Sequence, residues 1–212
     1  MVAKIDIYNG ALAHCGEPSI TSLNQDNKGA RLLNREYDKV RMSTLGRYRW
    51  NFAKKRASVA ADPDAPAFGF NFRYRRPNDL LYLIGLGDER ETQRNYTSSD
   101  QIYKMEGDFI LTDQQAPLQI AYIENVTETG RFDPHFVTVF EYFLATQIFY
   151  ALTKGTDRYQ ALVRERVNAI KEAKFAHAIE NTPEIVMASD WLDARFQDGG
   201  FYGSNFRIGP VL

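Results

Sequence analysis

Apolar positions along this chain change period twice, and the changes divide it. Between residues 4 and 15, Ile5, Tyr8, Leu12 and Cys15 recur three and four apart, which predicts a short helix with one apolar face. Gly16 and Pro18 end it, the first as a left-handed cap and the second because proline cannot continue a helix. A polar loop with Ser22, Asn24, Asp26, Asn27 and Gly29 follows. From about Gly29 to Tyr48 the stripe Ala30, Leu33, Tyr37, Val40 and Leu45 predicts a second helix, with Arg31, Arg35, Lys39 and Arg41 largely off the stripe. The period then shortens to two. After the Asp62–Pro66 break, Phe68, Phe70, Phe72 and Tyr74 alternate with Gly69, Asn71, Arg73 and Arg75, which reads as a strand with one aromatic face. Leu80–Leu86 is an apolar run of strand length, and 101–105 with 109–112 reads as a hairpin turning at Gly107. In 118–124, Leu118, Ile120 and Tyr122 oppose Gln119, Ala121 and Ile123.

Helical spacing returns at Asp133, a good N-cap followed by Pro134 at the first helical position. Phe136, Val139, Phe140, Phe143, Leu144, Ile148, Ala151 and Leu152 give a broad apolar face. Lys154–Asp157 is a turn capped by Gly155, and a last helix over about 158–180 carries Tyr159, Leu162, Val163, Val167, Ile170, Ala173 and Ala176. The last 31 residues hold Pro183, Pro210 and four glycines around Trp191, Phe196, Phe201, Tyr202 and Phe206. That composition predicts an extended arm, lying on its own domain or ordering on a partner. The expected fold is therefore α+β: an antiparallel bundle of about four helices (1–61 and 131–181), an inserted small antiparallel β subdomain (62–130), and an extended C-terminal arm (182–212).

Composition narrows the function classes. The chain has 212 residues, 44% hydrophobic and 13% aromatic, which is globular rather than disordered. No apolar run approaches the ~18 residues that span a bilayer, and Asp6 falls where a signal peptide would be apolar. The expectation is a soluble chain made in a cytoplasm, with no membrane partner. The single Cys15 excludes an internal disulfide. Net charge is −1, which argues against capture of nucleic acid by overall charge. The charge is unevenly spread: residues 1–61 hold eleven basic and five acidic side chains, residues 62–130 six and twelve. These two stretches are complements that can meet within one molecule, meet across a subunit interface, or stay solvated apart.

Signals of catalysis are sparse. His14, His135 and His177 have no second ligand at a recognised metal spacing. Neighbours His14 and Cys15 cannot face each other on a helix. Gly85-Leu-Gly87 lacks the rest of a dinucleotide fingerprint. An enzyme would need convergent groups such as Asp88 and Glu89 with His135, and the polar 87–100 stretch reads instead as a solvated loop. No catalytic residue, cofactor or metal is expected. The most distinctive local feature is 39–56, with seven basic residues (Lys39, Arg41, Arg47, Arg49, Lys54, Lys55, Arg56), no acid, and Tyr48, Trp50 and Phe52 between them. Basic plus aromatic suits a nucleic-acid surface and suits a protein interface equally well. Trp50 and Phe52 can also simply close a helical core. The candidate interface residues are Arg47, Arg49, Trp50, Phe52 and Arg56, with Trp191, Phe196, Phe201, Tyr202 and Phe206 of the arm.

Several runs, taken in order, carry a resemblance. They are Asn9-Gly-Ala-Leu-Ala-His-Cys-Gly-Glu-Pro18 with Ile20 and Leu23, Trp50-Asn-Phe-Ala-Lys-Lys-Arg-Ala57, Tyr74-Arg-Arg-Pro-Asn-Asp79, Tyr103-Lys-Met-Glu-Gly107 with Ile110-Leu-Thr112, and Phe132-Asp-Pro-His-Phe136. Their order and spacing over about 5–180 resemble the tail tubular protein A family, the head-to-tail adaptor (gatekeeper) proteins of short-tailed bacteriophages. The resemblance implies a structural virion protein at the portal vertex. Such adaptors form a ring, typically of twelve copies, that joins the portal protein to the tail nozzle protein (tail tubular protein B type) and surrounds the exit channel for genomic DNA. It implies a docking role for the β subdomain and a C-terminal arm reaching the portal. A DNA-binding packaging or ejection factor using 39–56 is the alternative.

Overall fold

The computed structural model describes residues 2–87, 103–153 and 157–180. The expected 87–100 loop beyond Gly87, with Asp88 and Glu89, the cap at Gly155, and the arm with Trp191, Phe196, Phe201, Tyr202 and Phe206 lie outside the described residues. The chain divides into Met1–His177 and Ala178–Leu212. Of the second unit only 178–180 are described, as the end of a helix.

The first unit is α+β. In chain order its elements are α1 (Lys4–Cys15), α2 (Lys28–Leu45), β1 (Lys54–Val59), β2 (Phe72–Arg75), β3 (Leu80–Leu86), β4 (Tyr103–Glu106), β5 (Phe109–Thr112), β6 (Leu118–Glu124), α3 (Pro134–Thr153) and α4 (Asp157–Glu180). The starts of the first three helices have visible causes. The Asp6 carboxylate accepts from the Ala3 N–H at 2.8 Å. The Asn27 side chain accepts from the Ala30 N–H at 2.7 Å, so α2 begins at Lys28, one residue before the expected glycine. Asp133 accepts from His135 N at 2.8 Å and Phe136 N at 3.3 Å, which caps α3 as its sequence predicts. At its other end α1 stops where Gly16 takes φ +76°, and Gly16 and Glu17 donate back to Ala13 and Leu12. α2 ends at Leu45, three residues earlier than expected.

α3 is the centre of the bundle and packs against both α1 and α2. Phe136, Val137, Val139, Phe140, Leu144, Ala145, Ile148 and Phe149 are all buried, so the buried surface reaches well round the helix. α3 is also long and apolar enough to cross a membrane by length and composition, with half of it buried inside the fold. This corrects the expectation that no such stretch exists: Glu141 is the only Asp, Glu, Lys or Arg in 134–153. On α1 the buried face is Ile7, Tyr8, Ala11, Leu12 and Cys15, with Ile5 at its margin rather than its centre.

The insert is two three-stranded antiparallel sheets, β1-β6-β3 and β2-β5-β4, where the sequence predicts one. β6 explains why two are needed. Ile123 joins the helical core, while Leu118, Ile120 and Tyr122 join a second cluster with Tyr74, Leu80, Leu86 and Ile110. The first sheet therefore lies between the helices on one face and the second sheet on the other. Leu81 and Ile84 of β3 also face the helices, with register shifts between Leu80 and Tyr82 and between Leu83 and Gly85.

Two further expectations change. The strand foreseen from Phe68 starts only at Phe72: Gly69 sits at φ +89° and Phe68 is 88% exposed. Residues 54–59, read as part of the helical half, form β1 instead. The Lys-Lys-Arg-Ala-Ser-Val run has little apolar alternation, yet it pairs with β6 from Lys54↔Ile123 to Val59↔Leu118. It is an edge strand, where charged side chains are tolerated. The hairpin of β4 and β5 forms as predicted, with Gly107 at φ +57°.

Polar groups bind the halves together. Arg41, expected largely off the apolar stripe, is 3% exposed. Its Nη1 donates to Asn125 Oδ1 at 2.7 Å and to the Val126 carbonyl at 2.6 Å, and Nε donates to Asp38 at 3.3 Å. It thus ties α2 to the chain leaving β6. Replacing it strips partners from buried polar atoms. Arg41→Ala is expected to lower unfolding stability by roughly 2–3 kcal/mol, measured by urea denaturation; a loss under about 0.5 kcal/mol would contradict this role.

Across the first sheet, Lys55 Nζ lies 2.6 Å from Asp79 and 3.5 Å from Glu124, Tyr122 donates to Asp79 at 3.1 Å, and Arg131 donates to Glu124 at 2.8 Å. Burial alone would raise Asp79, but the hydrogen bonds from Lys55 and Tyr122 outweigh it and hold it below its ordinary value of 3.8. The Arg131 hydrogen bond, then the charges of Arg131 and Lys55, hold Glu124 below 4.5. Carboxyls lowered in the folded chain contribute stability that is complete above their unfolded values and lost as pH falls through the folded ones. The melting temperature is expected to hold above about pH 5 and to fall increasingly below 4.5. The double variant Asp79→Asn with Glu124→Gln should show a shallower acid slope; equal slopes would refute the assignment.

Candidate interface at the basic and aromatic segment

Residues 46–53 leave α2, turn once, and enter β1. The turn is fixed by Trp50. Its indole N–H donates to the Thr44 carbonyl at 2.9 Å, and its ring meets Phe136 edge-on at 5.0 Å and Tyr48 at 5.4 Å. Trp50 is 3% exposed. Phe52 is partly buried and packs on Phe132 at 5.9 Å and Phe136 at 5.0 Å. Of the readings open from sequence, closure of the helical core is the one these two rings follow. At 3% exposure Trp50 offers no surface platform on which a base could stack.

The cations behave differently. Arg47, Arg49 and Arg56 are exposed, and none of them forms an ion pair among the described residues. Arg47 lies over the Phe143 ring, its guanidinium carbon 4.8 Å from the centroid. Lys39 and Arg41 are turned to Glu36 and Asp38 on their own helix, and Lys55 is taken up by Asp79 and Glu124. Some of the complementarity between the basic first stretch and the acidic second is thus met within one molecule, at Lys55. The structure brings Arg47, Trp50 and Phe52 to one region, where α2 ends against α3. Arg56 stands apart on β1, beside Ser58 and Gln119 in a shallow cavity of about 330 Å³.

Sequence reasoning missed residues that complete this region from α4. Arg166 also lies over Phe143, at 4.8 Å, and donates to the Thr146 hydroxyl at 3.2 Å. Lys174 lies over Tyr48 at 5.7 Å. His177 is 2% exposed, 5.2 Å from the Trp50 ring and 3.8 Å from Asp133. The available signal was spacing: Arg166 and His177 lie one turn beyond Leu162 and Ala173, near the Leu162–Ala169–Ala173 face, and Lys174 lies one turn beyond Ile170 at the margin of that face.

The remaining titratable groups have structural surroundings. His14 stacks on Tyr142 at 4.0 Å and lies 3.7 Å from Glu141. His135 is exposed on the first turn of α3. Among the described residues no group of three or more His, Cys, Asp or Glu could hold a metal ion. Cys15 is buried, its thiol donating weakly to the Ala145 carbonyl at 3.6 Å. Burial, and after it the nearby Glu17, push the thiol up to about 11. At pH 8 a thiol-exchange reagent is expected to label native Cys15 roughly 100-fold more slowly than the urea-unfolded chain. Equal rates would mean that the α1–α3 contact opens readily.

No protein-family model matches the chain, and no curated protein matches it.

Proposed function

We propose that this chain is a structural connector rather than an enzyme. In this reading it is a head-to-tail adaptor of the tail tubular protein A kind, assembling as a ring between portal and tail nozzle around the DNA channel of a short-tailed phage. What supports the reading is that each run carrying the resemblance has an architectural task. Asn9 clasps Ile20 through both amide atoms, at 2.8 and 3.1 Å. Trp50 closes the core below α2. Buried Tyr74 donates to the Gln114 carbonyl at 2.6 Å, and Asp79 anchors the first sheet. Gly107 turns the hairpin, and Asp133 caps the central helix. A set of motifs spent on building one scaffold suits a protein whose product is an assembly. A ring subunit also needs two different complementary faces that close on each other.

The test is assembly. Mixed with its cognate portal ring, the protein is expected to add a symmetric ring visible by electron microscopy and by sedimentation. A chain lacking 183–212 is expected to stay folded and to lose that attachment. A full-length protein that ignores the portal would overturn the reading.

The second reading, a DNA-binding packaging or ejection factor, draws on exposed Arg47, Arg49 and Arg56. It requires salt-dependent DNA binding that weakens when all three become Ala. The buried Trp50 counts against it, because sequence-independent strands are held by aromatic platforms as well as charge. Absence of binding at low salt would remove it.

A further inference from the structure

A cavity of about 220 Å³ opens where the end of α2 meets α3 and α4. Its apolar wall is Trp50, Val139, Phe143 and Ile170, and its rim carries Arg47 and Lys174. Arg166 adds a third cation, sharing the Phe143 ring with Arg47. None of the three forms an ion pair among the described residues. Cations gathered at one apolar mouth repel one another, and an acidic group beside an apolar one relieves that repulsion while filling the space. The volume is below that of sites for drug-sized ligands, and suits one inserted side chain.

The chain's own sequence contains such a group. Asp190-Trp191-Leu192-Asp193 sets an indole between two carboxylates, and 182–212 holds four acidic against two basic side chains. Trp is a favoured interface anchor. We propose that this cavity receives Trp191 of a second copy, with Asp190 and Asp193 of that copy meeting Arg47, Arg166 and Lys174. Such a contact is heterologous, cavity on one copy and arm on the next, which is the kind that closes rings. It rests on the ring reading for its purpose, but its chemistry stands separately. A nucleic-acid strand would need several stacking platforms along a groove, and this is a single slot.

The test uses full-length protein carrying Trp191→Ala and a labelled peptide of residues 184–198, followed by fluorescence anisotropy. Saturable binding is expected. It should weaken at least tenfold in a chain that also carries Arg47→Glu and Lys174→Glu, or when the peptide's own tryptophan is alanine. A peptide with Asp190→Lys and Asp193→Lys should recover binding to the charge-reversed chain and lose it to the other. Both chains are compared by thermal melting so that lost binding is not lost folding. Three outcomes overturn the proposal: no binding, binding indifferent to the cavity charges, or displacement of the peptide by a single-stranded oligonucleotide of equal charge. Peptide binding without rings on the portal would sink the connector reading and leave this docking intact. Rings that form unchanged with Trp191→Ala would sink the docking alone.

Discussion

Burial of both faces of β6 is the constraint on which the rest of the first unit depends. A strand with one apolar face needs one partner layer. Here Ile123 looks toward the helices, while Leu118, Ile120 and Tyr122 look toward the second sheet. That arrangement forces the layer order of helices, first sheet, second sheet. Within its three-stranded sheet β6 is the central strand, with β1 and β3 as the edges. A one-residue slip of β6 would swap its two faces, turning Leu118, Ile120 and Tyr122 toward the helices and Ile123 toward the second sheet. Arg41 holds this arrangement from outside the sheet, gripping Asn125 and Val126 as the chain leaves β6.

Much of this was legible in the sequence, and the misses share a cause. The helices were visible because their apolar spacing is unambiguous, and Asp133 and Gly16 mark ends by local chemistry. Hairpin β4–β5 was visible because Gly107 interrupts two short runs of strand length. β1 was not, because an edge strand can be mostly charged and leaves no pattern. The two-sided role of β6 was half visible: its opposite positions were apolar as well, but one sequence cannot say which layer lies on which side. Arg41 was placed by its charge when its long side chain decided its position, reaching across to carbonyl and amide oxygens. The apolar length of α3 was underestimated because Thr138, Thr146 and Gln147 interrupt the run without adding charge.

The candidate site divides in the same way. The sequence singled out 39–56 as basic and aromatic, and the fold separates the two properties. The rings turn inward, where their area counts most, and Arg47 and Arg49 turn outward. What no linear reading could supply was the contribution of α4, more than a hundred residues along the chain, whose Arg166 and Lys174 meet the same aromatic edges. Cations resting on ring faces keep their charge available while covering apolar surface. The region is therefore both part of the core's wall and a charged mouth.

The position of α3 in the chain has a consequence for biogenesis. It is the most apolar of the helices, and its partners α1 and α2, together with the strands, precede it, while α4 follows. On a ribosome, an apolar helix that emerges first must wait uncovered for its partners, the condition that invites aggregation or capture by a membrane. Here the surface that α1, α2 and the first sheet offer has been made before the helix that packs on it. Permuting the chain so that α3 came first would leave every native contact in place and still remove that protection.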